Sequence, residues 1–138
     1  MVGRWPSGAP LVLAPHADDP ALGRANDFGY FHDDRDGLRC PVGAHIRRAN
    51  PRDSLDPDPG SAASIAVGKR HRIIRRGRKR GPNGTPGAAE PADQGLHFVC
   101  LNANLARQFE FIQGTWCNNP KFAGLYEDRD PLVTTEPD

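Results

Sequence analysis

GLHFVCLNANLARQFEFIQGTWCNNP, residues 95–120, contains two periodicities one after the other. In LHFVCL, Leu96, Phe98 and Cys100 fall on one side of an extended chain and Val99 and Leu101 on the other. Apolar residues on both sides predict a strand covered on both faces. From residue 105 the period lengthens. Leu105, Phe109, Ile112 and Trp116 then fall on one apolar stripe of a helix. Asn102 or Asn104 suits its N-cap, and Asn118-Asn119-Pro120 ends it. A strand running into an amphipathic helix is half of a ferredoxin-like unit, so the expected fold class is α+β.

The sequence around this unit is rich in loops. Upstream, KRHRIIRRGRKR (residues 69–80) holds eight of the chain's 18 lysines and arginines, and Ile73-Ile74 make its centre a short strand. Residues 81–95 and 54–64 read as Gly- and Pro-rich loops, the second containing DPDPG, and DDRDG (residues 33–37) as a turn. Residues 1–30 are loop around the apolar LVLA, with prolines too closely spaced for a long helix. From Glu127 the chain is acidic, contains proline and is expected to fray.

A chain of 138 residues suits one domain. Gly and Pro number 15 and 14, and the apolar stretches are few and short, so the core is expected to be thin. A partner or further sequence is implied. A net charge of +1 with 25% charged residues gives no reason to expect disorder of the whole chain. Three cysteines, widely spaced and odd in number, argue against a disulfide framework or zinc site. They are expected to be buried or half-buried free thiols, which suits a reducing compartment. No apolar run is long enough to span a bilayer. The first ten residues lack the apolar centre of a secretory signal, so cytoplasmic placement is favoured.

Five histidines are candidates for chemistry. His16 and His32 lie in acidic loops, His71 in the basic run, and His97 on the strand. His45 stands apart in CPVGAHIRRANPR (residues 40–52): Gly43-Ala44 let a flat ring or backbone approach, and Ile46 suits a pocket wall. By spacing alone it is either a ligand or a polar residue of a basic loop. The basic run at 69–80 supports a different reading, a non-enzymatic module that binds phosphates in a salt-dependent way. It has no aromatic residues for stacking on bases, and the chain is nearly neutral, so nucleic acid is not the expected partner.

Several strings in order resemble the C-terminal half of dye-decolourising peroxidases. They are DFGY, GLRCPVGAHIRRANPR, HRIIRRG, GLHFVCLNANLARQFEFIQGTWCNNPKF and DRDPL, with MVGRWPSGAPL similar to the segment ahead of them in bacterial members. The resemblance runs from residue 1 to about residue 132, which makes 1–132 a partial C-terminal domain and 133–138 a frayed tail. It implies haem b as cofactor, hydrogen peroxide and an organic electron donor as partners, no membrane, and a family that often forms homo-oligomers. The implied fold is two ferredoxin-like α+β halves, of which this chain is one. His45 maps to the proximal iron ligand. Arg75 maps to the distal arginine, with Arg76 as its one-residue alternative. Leu96 and Phe98 map to residues lining the distal pocket. The acceptor for the second ring nitrogen of His45 is Glu110 or one of the acids near Asp128 and Asp130. The family's distal aspartate, in a Gly-x-x-Asp-Gly motif, has no counterpart here, which implies weak turnover or none by this chain alone. Trp5, Tyr30, Trp116 and Tyr126 are either electron relays or packing residues.

Overall fold

The structure is a computed structural model that describes residues 3–80 and 95–133. Met1, most of the expected loop at 81–95 and residues 134–138 of the expected tail lie outside the described residues. A short 3-10 turn (Pro20–Leu22) is followed by α1 (His45–Ala49), α2 (Ala62–His71), β1 (Ile74–Arg80) and β2 (Gly95–Leu101). A long helix, α3, follows, made of Ala106–Glu110 and Ile112–Cys117 joined through Phe111, and then a 3-10 turn at Phe122–Gly124. The fold class is α+β, as the sequence suggests. No helix among the described residues is long and apolar enough to cross a membrane.

β1 and β2 form an antiparallel ribbon in which Ile74 pairs with Leu101 and Arg80 with Gly95. The strand expected to be covered on both faces is instead open: Leu96, Phe98, Val99 and Leu101 are 51–67% exposed. Alternating apolar residues show what environment a strand suits. They do not show that a covering layer is present, and no third strand joins the ribbon among the described residues. The basic run divides differently from the expectation, because Lys69–His71 end α2 and the strand begins only at Ile74. Cations in the last turn of a helix complement its dipole.

The expected loop at 54–64 gives way to a helix that the sequence reading missed. The hydroxyl of Ser61 accepts from the Ser64 N–H at 3.2 Å and caps α2. Small residues in AASIAV leave too weak an apolar stripe to reveal it. In α3 the cap is at Asn104, whose side-chain oxygen accepts from the Arg107 N–H at 2.8 Å. Bonds from Glu110 N to Leu105 O (3.1 Å) and from Asn118 N to Gln113 O (2.9 Å) skip one residue more than in an α-helix. This π-type winding turns the stripe. Leu105 is 56% exposed and Phe109 half-buried, whereas Ile112, Trp116 and Cys117 are buried.

The core is thin, as expected, and falls into two clusters. Val12, Tyr30, Cys40 and Ala44 form one, with Phe28 and Ile46 against it. Ile112, Trp116, Cys117 and Phe122 form the other, with Ala49 among its neighbours. α1 therefore lies between them, with its N-cap Ala44 and Ile46 at the first and Ala49 at the second. Guanidinium groups stitch the loops where apolar surface runs short. Arg47, 2% exposed and beside Asp34, donates to the carbonyls of Asp34, Arg35 and Cys40. Arg52 donates to the carbonyls of Asn26 and Phe28 and lies 3.6 Å from the centre of the Phe28 ring.

Candidate functional site

A turn brings the chain into α1, with the Ala44 N–H donating to Pro41 O at 2.9 Å, and His45 is the first helical residue. Packing of α1 between the two clusters fixes the backbone of His45, and its side chain stays 35% exposed. Its Nδ1 lies 2.8 Å from Oδ2 of Asp130, whose side chain is fully buried. Of the carboxylates weighed from the sequence, Asp130 is thus the partner, and Glu110 is exposed on α3.

Asp130 is itself held tightly. Its Oδ1 accepts from the N–H groups of Leu132 (2.8 Å) and Val133 (3.2 Å), and its own N–H donates to Cys117 O at 3.0 Å. The tail expected to fray from Glu127 is therefore anchored as far as Val133, because one buried carboxylate organises the turn that follows it. Burial opposes ionisation of Asp130. The Leu132 N–H and then His45 outweigh it, and the carboxyl is held below the usual range.

Arg48 locks this arrangement from behind. It is 0% exposed, and its Nε donates to Gly43 O at 3.1 Å. The two terminal nitrogens reach the carbonyls of Trp116, Cys117, Asn119 and Asp128 at 2.8–3.2 Å. One guanidinium fork thus ties α1 to the end of α3 and to the segment carrying Asp130. Sequence reasoning missed this residue, since an arginine beside an arginine gives no sign of which one is buried.

Atoms of His45, Cys117 and Asp130 lie within 4.8 Å of one another, close enough for the three to bind one metal ion. Their chemistry argues against that use. Burial, and then the charge of Asp130, push the Cys117 thiol up to about 12, so a thiolate ligand is costly. Both Asp130 oxygens are engaged. The arrangement instead orients a single imidazole and leaves its Nε2 without a hydrogen-bond partner among the described residues, as the carboxylate partners of metal-binding histidines do. An open hollow of about 280 Å³ adjoins α1, lined by Pro41, Gly43, Ala44, Asp128, Arg129 and Pro131. A Cβ on Gly43 would meet Leu125 Cδ1 at 3.5 Å, ordinary contact, so the fold itself does not require glycine there.

Arg75, Leu96 and Phe98 lie away from α1 in sequence, on the ribbon. Register places Arg75, Gly77 and Lys79 on the same face as Cys100, Phe98 and Leu96. Arg76 points to the opposite face with Val99. A Cβ on Gly77 would come within 3.1 Å of Leu96 Cδ1, so the glycine leaves room for Leu96 to lean toward Arg75. The other histidines form no comparable site: His71 stacks on Phe111 with ring centres 3.9 Å apart, and His97 is exposed. All three cysteines are free, Cys40 and Cys117 buried and Cys100 half-buried.

No family model matches the chain. Its sequence is 38% identical over 154 residues to a dye-decolorizing peroxidase of Mycena epipterygia, an alignment covering 99% of this chain and 27% of that protein. It is 41% identical over 146 residues to a multifunctional dye peroxidase of Amycolatopsis sp., covering 96% of this chain and 30% of the relative. A crystal structure of a DyP-type peroxidase from Anabaena sp. superposes with a TM-score of 0.76 at 32% identity, over 98% of this chain and 28% of the other. The chain spans 27–30% of the length of these proteins. Identity that runs almost end to end, on a shared backbone, shows that the chain belongs to the dye-decolourising peroxidase family.

Proposed function

We propose that this chain carries the haem-ligating part of a peroxidase, in which Nε2 of His45 would hold the iron of haem b. The observation that carries this is the 2.8 Å contact of Nδ1 with buried Asp130, which commits one ring nitrogen and frees the other. When bound, haem supplies the iron chemistry by which hydrogen peroxide is reduced and an organic donor oxidised. The chain's own residues do the rest. Asp130 holds the proton at Nδ1 and orients the ring, and Arg48 keeps the Asp130 segment in place. Arg75 would be the distal cation, its guanidinium suited to stabilising negative charge on peroxide oxygens. Its placement on one face with Leu96 and Phe98, with Arg76 on the other, favours it over Arg76. Leu96 and Phe98 supply an apolar wall.

The chain has no Gly-x-x-Asp-Gly sequence, so no aspartate of that kind takes the peroxide proton, and turnover by the 138-residue chain alone is expected to be low. The alternative of a basic binding module is weakened by the ribbon, which divides its cations between Arg75 and Lys79 on one face and Arg76, Arg78 and Arg80 on the other.

The test is a haem titration of the purified chain followed by Soret absorbance, with His45→Ala beside it. A saturable shift that disappears in the variant supports ligation by His45. A shift identical in both proteins, or none in either, sinks it.

A further inference from the structure

β1 carries cations at five of its seven positions, Arg75, Arg76, Arg78, Lys79 and Arg80, and every residue of the strand is exposed. None of the five has an ion pair among the described residues. One edge of β1 is taken by β2. No backbone hydrogen bond joins residues 74–80 to any other described segment, so the second edge presents N–H and C=O groups that have no partner there. Like charges in a row deny this edge to β1 of a second copy. They do not deny it to a strand of opposite charge.

The division of the cations between two faces decides which anion fits. A flat polyanion meets one face and leaves the remaining charge behind. A strand added beside β1 alternates its side chains as β1 does, and neighbours across a ladder share a face. Arg76, Arg78 and Arg80 lie on one face, each about 7 Å from the next along the strand. Carboxylates at every second residue of an added strand therefore meet all three. On the other face Leu96 leans over Gly77 and Phe98 is exposed beside it, which suits apolar side chains at the intervening residues. The arginine face carries no Phe, Tyr or Trp on which bases could stack, which disfavours nucleic acid.

We propose that the free edge of β1 is a docking site for an extended segment of a partner protein, with acidic residues alternating with apolar ones, which joins the ribbon as a third strand. This goes beyond the reading of His45 as a haem ligand and does not rest on it.

The test titrates the full chain into a fluorescent seven-residue peptide of alternating Glu and Val, as long as β1. Beside it run the same peptide with every backbone nitrogen methylated, which keeps the charge and loses the ladder, and a uridine oligonucleotide. The unmodified peptide should bind saturably, slow amide hydrogen exchange in residues 74–80, and bind less tightly as salt is raised. Methylation of the peptide, and separately Arg76→Glu combined with Arg78→Glu in the protein, should each weaken binding by roughly tenfold or more. The methylated peptide meets the unaltered protein, so it decides the case even where the variant folds poorly. No binding, or equal binding of the two peptides, overturns the proposal, as does undiminished binding by a folded variant. An oligonucleotide held more tightly than the peptide makes nucleic acid the partner, and a salt-reversible complex of the chain with itself that excludes the peptide makes it a second copy. Either result overturns the proposal as well.

Discussion

Arg47 and Arg48 are adjacent and identical in type, yet they do different work, and this difference organises the site. Arg47 is paired with Asp34 and closes the turn at residues 33–37. Arg48 has no ion pair among the described residues and spends its donors on five carbonyls from three segments. Removing it strands carbonyls in a buried place, each costing about 1–3 kcal/mol if left unpaired. Arg48→Met is therefore expected to lower stability by roughly 3 kcal/mol or more, read as a denaturation midpoint in urea. Arg48→Lys should recover little of this, because a point-like ammonium cannot span carbonyls that the flat fork reaches together. A lysine variant as stable as wild type would mean that the charge, not the fork, holds the three segments.

At the scale of the element, the winding of α3 decides which residues face inward. An α-helical stripe through residues 105–116 makes Leu105 and Ile112 equivalent, and the π-type winding separates them, leaving Leu105 56% exposed and Ile112 7%. Ile112→Ala is expected to cost about 2–4 kcal/mol, and Leu105→Ala no more than about 0.5 kcal/mol. Thermal unfolding of the pair checks this, and equal losses would restore the α-helical stripe. The same element shows how far the sequence was legible. Its position, its Asn104 cap and its stop at residues 118–120 follow from residue types whose effects are local. Its winding does not, because a switch from four-residue to five-residue hydrogen bonds is settled by what the helix packs against. The site divides likewise. His45 and the cluster of acids around Asp130 could be read from the family's strings, whereas Cys117 could not, because only the winding brings it to the carboxylate. α2 was hidden for a third reason: its one clear signal, the Ser61 cap, lies in a stretch dominated by Gly and Pro.

For the molecule as a whole, the ribbon of β1 and β2 is the part least accounted for by the chain's own packing. Ile74, Leu96, Phe98, Val99 and Leu101 are 51–71% exposed on its two faces, while the two core clusters lie elsewhere, one among the loops before α1 and the other at the end of α3. Contiguous apolar surface of this kind, on a two-stranded sheet with open edges, favours association with another chain or another sheet. The cations of β1 oppose edge pairing by repulsion, so association should strengthen as salt screens them. The isolated chain is accordingly expected to self-associate at concentrations where Phe98→Glu remains monomeric, and more so at high than at low ionic strength. Sedimentation velocity at two salt concentrations measures both effects. If wild type and Phe98→Glu sediment alike as monomers in both conditions, the ribbon is tolerated in water as it stands. If wild type associates and added salt reverses it, contacts between opposite charges, not the apolar faces, join the copies.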